Sequence, residues 1–161
     1  MTVNLGDPQW DGGGSDAPPF VGRFARIGRQ AGAHSLGATL YELPAGAAIA
    51  PLHFHHGNEE LLVVVAGAPV LRTFDGERPL ATGEVVAFPM GPDGAHRVDN
   101  PGPGEARILV VSTMFAPDVI EYPDSEKVMA RTAAPGTQLG PHDLRLIVRR
   151  DDAVGYYDGE R

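Results

Sequence analysis

Pro51-Leu52-His53-Phe54-His55-His56-Gly57-Asn58-Glu59-Glu60 packs three histidines and two carboxylates into ten residues. It lies between two strand-like apolar runs, Leu36–Leu43 and Glu60–Ala66. His53 and His55 are two apart, and on a strand residues i and i+2 face the same side. Both imidazoles can therefore point at one centre, while His56 faces the other way. Glu60 opens the next run, and the short Gly57-Asn58 turn can fold it back beside them. His96 begins a later strand. Three imidazoles and a carboxylate suit a divalent first-row metal. The competing reading is a solvated histidine-rich loop, which the flanking apolar runs disfavour. His34 and His142 stand alone and read as ordinary surface residues.

Working outward, the punctuation is regular. Leu36–Leu43 ends at Pro44-Ala45-Gly46, Ala48–His55 follows, and Glu60–Ala66 stops at Gly67. Pro69–Phe74 meets the hairpin signal Asp75-Gly76, and Arg78–Ala81 returns. Glu84–Phe88, His96–Asp99 and Arg107–Met114 are the next strand candidates. Short strands with turn signals every ~8–12 residues predict an all-β sandwich or barrel. The segment 117–130 reads as a short helix or an extended return strand, and Leu144–Arg149 as a final strand. Residues 1–20 read as an arm, flexible or packed, with Trp10 able to anchor it; residues 21–150 read as a single barrel domain and 151–161 as a polar tail.

Composition narrows the classes further. Glycine (21) and proline (15) exceed a fifth of the 161 residues, which excludes a helical bundle because both break helix interiors. The 42% hydrophobic content argues against disorder. With no cysteine there is no disulfide, thiolate metal site or cysteine nucleophile. No Gly-x-Ser-x-Gly elbow supports serine hydrolase chemistry. A net charge of -8 disfavours nucleic acid. No apolar run approaches the ~18–20 residues of a membrane span, and no secretory leader is visible. The expectation is a cytoplasmic protein.

Two spaced patterns resemble the cupin motifs. Gly46, His53, His55, Glu60 and Gly67 resemble the first, with four residues between His55 and Glu60 and six between Glu60 and Gly67. Gly83, Pro89, Gly91, His96 and Asn100 resemble the second. The resemblance covers about residues 36–115, and Val119–Ser125 resembles a tail found in small single-domain bacterial cupins. The chain departs from the pattern twice: the Gly46–His53 gap is one residue longer than the family's, and Pro92–Ala95 puts four residues where the family has two. Both departures fall in loops, where insertion is tolerated, and bear on the pocket rim.

The resemblance implies a double-stranded β-helix, or jelly-roll barrel, with an N-terminal arm and a C-terminal extension. It implies His53, His55, Glu60 and His96 as ligands of one divalent transition metal: iron, manganese, nickel, zinc or copper. Glu59 competes with Glu60, but Glu60 shares a face with Leu62 and Val64 and has the right count to Gly67. Four ligands leave two octahedral positions for a small molecule. Tyr41, Phe88 and Met114 are the pocket-lining candidates. No general base stands out; Asp124, Lys127 and Arg97 read as solvated charges. The implied activity is that of a metal-dependent enzyme on a small organic molecule, of dioxygenase, isomerase or lyase type. A non-catalytic small-molecule or metal-binding cupin is the other reading. A homodimer is expected, because barrel edges and the arm need cover.

Overall fold

The computed structural model describes residues 1–15 and 17–160. Asp16, inside the expected arm, and Arg161, at the end of the expected tail, lie outside them. Among the described residues the chain forms β1 (Gly12–Gly13), β2 (Arg23–Ala25), α1 (Ile27–Ala31), β3 (Leu36–Leu43), β4 (Phe54–His55), β5 (Glu60–Ala66) and β6 (Val70–Thr73). It continues with β7 (Gly76–Pro79), β8 (Val85–Phe88), β9 (Arg97–Asp99), β10 (Ala106–Thr113), β11 (Asp118–Tyr122), β12 (Lys127–Arg131) and β13 (Arg145–Arg149). No helix among these residues is long and apolar enough to cross a membrane. The segment 117–130 holds two strands, β11 and β12, paired as an antiparallel hairpin.

Three antiparallel sheets make the all-β body: β1-β2-β3-β10-β5-β8, β13-β12-β11-β4 and β7-β6-β9. The first is a long ladder in which Tyr41 pairs with Ile108, and Ile108 with Val64. Alternation then sorts side chains onto two faces. Inward, Leu62, Val64 and Ile108 join Leu71, Phe88 and Val98 in a packed core that ties the first sheet to the β6–β9 sheet. Outward, Leu40 joins Ala25 and Ile27, and Val3, Leu5, Trp10, Val65 and Leu109 pack over them. The first ten residues thus cover the outer face of the first sheet through Trp10.

Gly67 ends β5 for a steric reason. Its φ is +87°, and a Cβ there would come within 2.8 Å of Ala106 Cα. Only glycine accepts both the turn and the close strand. Asn100 closes the same end: its buried Nδ2 donates to Leu43 O at 2.9 Å and Gly104 O at 2.8 Å.

The region read as strand Ala48–His55 is mostly not strand. Ala48 and His53 make single bridges to Asp99 and His96, and only Phe54–His55 forms a ladder, with β11. Pro51 interrupts it, having no N–H to donate. The opposite end of the barrel, between the first sheet and β11–β12, is hollow.

Candidate metal centre

The hollow end holds the predicted ligands. The bridge between His53 and His96, with N–H···O distances of 3.0 and 3.1 Å in the two directions, sets those imidazoles side by side. Their ring centroids are 4.6 Å apart. Glu60, first residue of β5, points in on the face of Leu62 and Val64, whereas Glu59 is exposed. His53, Glu60 and His96 each bring one ligand atom within 4.8 Å of the others. His55 lies beside this group, its Nε2 3.6 Å from Glu60 Oε2; His96 Nε2 is 3.3 Å from the same oxygen. Two ligands ~2.1 Å from one metal sit about 3.0–3.4 Å apart at octahedral or tetrahedral angles, so the spacing fits a shared ion.

The outer hydrogen bonds decide which atoms face the centre. His53 Nδ1 lies 2.9 Å from Pro51 O, and His96 Nδ1 2.9 Å from Gly94 O. A carbonyl only accepts, so each Nδ1 carries the proton and each Nε2 turns a lone pair inward. His55 Nδ1 is 2.6 Å from the buried Asp118 Oδ2, which commits its proton in the same way. Glu60 Oε2 is buried among these rings without a hydrogen-bond partner. The cluster therefore presents acceptors to one another, an arrangement that a bound cation relieves.

Charge follows the same pattern. Burial, the His96 charge and the His55 charge push His53 down to about 4, against the pull of Glu60, so it is neutral at ordinary pH. Burial pushes the Glu60 carboxyl up, but the His96 imidazole and its histidine neighbours outweigh that and hold it at about 2. Burial likewise opposes ionisation of His55 and Asp118, and their mutual contact prevails, raising the first and lowering the second.

Asp118 escaped sequence analysis. It opens β11, 63 residues beyond His55, and its Oδ1 also accepts the Gly57 N–H at 3.0 Å. The turn Pro92–Gly94, within the lengthened loop of the second motif, is not merely rim: its Gly94 carbonyl holds His96. His56 is half-exposed and bonds Glu121 at 2.7 Å, as its opposite facing predicts.

Of the lining candidates, Tyr41 borders the inner cavity, of about 280 Å³, and an outer one of about 720 Å³. Met114 borders the outer cavity alone. Phe88 stands behind the centre, in the core, its ring stacked on His96 at 3.8 Å and 7°. Ile120, Tyr122, Met129 and Arg131 of β11 and β12 complete the inner wall, with Arg97, which pairs with Asp99. Asp124 pairs with Arg72 and Lys127 lies over Tyr122.

The cupin-domain family model matches residues 39–112, the span holding all four ligand candidates. No curated protein matches the chain. Among solved structures, a sugar phosphate isomerase of the cupin superfamily from Silicibacter pomeroyi is 25% identical, with 98% of each chain covered and a TM-score of 0.80. A proposed sugar phosphate isomerase from Acidithiobacillus ferrooxidans is 25% identical over 86% of this chain and 82% of its own, with a TM-score of 0.73. A predicted oxalate decarboxylase from Thermotoga maritima, 20% identical over 71% of this chain and 100% of its own, shares the fold at a TM-score of 0.57. Both motifs lie on one barrel around one histidine–glutamate cluster: residues 39–112 match the cupin-domain family model, and the barrel has the fold of the cupin superfamily.

Proposed function

We propose that this chain is a metal-dependent enzyme of isomerase type that acts on a phosphorylated sugar. The observation that carries the metal is the buried, unpartnered Glu60 Oε2 facing the Nε2 atoms of His55 and His96. The substrate class is supported by the two sugar phosphate isomerase structures, each covered over more than four-fifths of its length. His53, His55, Glu60 and His96 would hold the ion, one of iron, manganese, nickel, zinc or copper. Bound there, it supplies Lewis-acid polarisation of a substrate oxygen.

The chain's own groups bind and orient. Burial and the Glu60 charge push the Tyr41 phenol up to about 12, so its hydroxyl keeps its proton and donates to a substrate oxygen. Tyr122 is raised by burial and stays protonated as well. Leu62, Val110, Ile120 and Met129 keep the inner wall largely apolar and limit water around the reacting carbons.

The test is elemental analysis with turnover. Purified protein should carry about one metal per chain, and His53→Ala with His96→Ala should remove it. Unchanged metal content in that variant would sink the metal reading. Absence of turnover across a panel of pentose and hexose phosphates by metal-replete protein would sink the isomerase reading. We also propose that residues 21–150 act as one barrel unit and that the protein is a homodimer; a clean monomer in sedimentation at working concentration would refute the latter.

A further inference from the structure

The outer cavity has a different character from the inner one. Arg26, Arg29 and His34 stand in its wall. The two spaces adjoin, with Tyr41, Glu60, Val110, Pro135 and Gly136 bordering both. Strand β3 is the ruler: Gly37, Thr39 and Tyr41 all line the outer space, and at ~3.4 Å per residue Gly37 is about 14 Å from Tyr41. The outer chamber thus extends the site well beyond the metal centre.

The arginines there are uncommitted. The chain is acidic overall, and six of its other arginines pair with carboxylates: Arg23 and Arg107 with Glu42, Arg72 with Asp124, Arg78 with Glu84, Arg97 with Asp99 and Arg150 with Glu121; among the described residues Arg131, Arg145 and Arg149 do not, but they lie outside the outer cavity. Among the described residues, Arg26 and Arg29 make no ion pair with a carboxylate. Arg26 rests 4.8 Å over the Phe24 ring, which orients the guanidinium without neutralising it. Arg26 immediately precedes α1 and Arg29 lies within it, and both border the outer cavity. Gly28 seats that turn on the sheet: a Cβ there would be 2.9 Å from Ala38 N. Two unneutralised guanidiniums in a concave wall focus anions, and their forks match phosphate oxygens.

We propose that Arg26 and Arg29, with His34 as a third N–H donor, form a phosphate subsite in the outer chamber that holds the substrate's phosphate while its carbon chain reaches toward His53, Glu60 and His96. The sugar part of this proposal rests on the isomerase reading above; the anion site does not.

The experiment is calorimetric titration of inorganic phosphate, then ribose 5-phosphate and ribose, into metal-free protein. Saturable phosphate binding by the wild type is expected. Arg29→Gln should weaken it 5- to 10-fold, and Arg26→Gln with Arg29→Gln at least 50-fold. Arg26→Lys with Arg29→Lys should retain part of it and guards against a folding defect. Arg149→Gln changes an exposed arginine outside both cavities and should leave binding unchanged. His53→Ala with His96→Ala should also keep phosphate binding, so failure of the metal reading leaves this test standing. No saturable phosphate binding by the wild type would overturn the subsite. So would equal weakening by Arg149→Gln, or unaltered binding in the double glutamine variant. Phosphate binding with no gain for ribose 5-phosphate would support the subsite and count against the sugar reading.

Discussion

Asp118→Asn changes one atom and almost no volume, yet it should cost the centre a ligand. Both Asp118 oxygens are in use: Oδ2 sits 2.6 Å from His55 Nδ1, and Oδ1 accepts the Gly57 N–H at 3.0 Å. Asparagine offers one acceptor and one NH2. If its oxygen stays on the Gly57 N–H, the NH2 faces His55 Nδ1. The ring must then accept there and carry its proton on Nε2, the atom aimed at Glu60. If the amide flips, its NH2 meets the Gly57 N–H and a buried donor pair is left unsatisfied, at about 1–3 kcal/mol. Either state weakens the ligand. Loss of such an outer partner lowers metal affinity 10- to 100-fold, or about 1.4–2.7 kcal/mol. The assay is zinc competition against a chromophoric chelator at constant pH, with thermal unfolding as the control for fold. His56→Gln, on the opposite face, should leave the affinity alone. Zinc affinity within twofold of wild type in well-folded Asp118→Asn would refute the tautomer reasoning and with it His55 as an imidazole ligand.

Gly94→Ala should be severe, because its Cβ would lie 1.9 Å from Pro89 O; an overpacking cost of about 1–3 kcal/mol and displaced His96 are expected, read by urea unfolding and zinc affinity together. Asn100→Ala strips the donor from two backbone carbonyls, Leu43 O and Gly104 O, and should destabilise by about 2–4 kcal/mol in urea; a loss under 0.5 kcal/mol would mean water replaces both bonds. Metal-free protein should lose stability as pH falls from 6.5 toward 4. Unfolded His53 takes up a proton there that the folded site, held at about 4, refuses, so the unfolded state binds more protons and stability rises with pH. The loss should total about 3 kcal/mol over that window. Glu60 adds a further loss between pH 4.5 and about 2, whereas the raised His55 acts in the opposite direction, only as pH climbs above 6.5. A flat urea midpoint between pH 6.5 and 4.5 would contradict a buried neutral His53.

What was legible in the sequence and what was not divide along the range of the interactions. β3 and β5 have the bounds their apolar runs predict, Leu36–Leu43 and Glu60–Ala66, because a strand buried on one or both faces writes its burial into consecutive residues. The ligand spacing was legible for the same reason, since i and i+2 parity is local. The short α1 left no trace, being five residues with Gly28 inside. The β11–β12 hairpin was ambiguous because its turn, Pro123–Ser125, ends on Glu126 at φ 51° rather than on glycine or asparagine. Asp118 was invisible: a buried carboxylate that serves a histidine 63 residues away has no local signature. The lengthened loop Pro92–Ala95 is the sharpest case. A loop insertion reads as tolerated variation because exposed backbone costs little to lengthen. Here the lengthened loop carries the carbonyl that sets the His96 proton, and the space at Gly94 admits no side chain. A departure from a family pattern next to a ligand is therefore a change in that ligand's support, even where every ligand residue is in place.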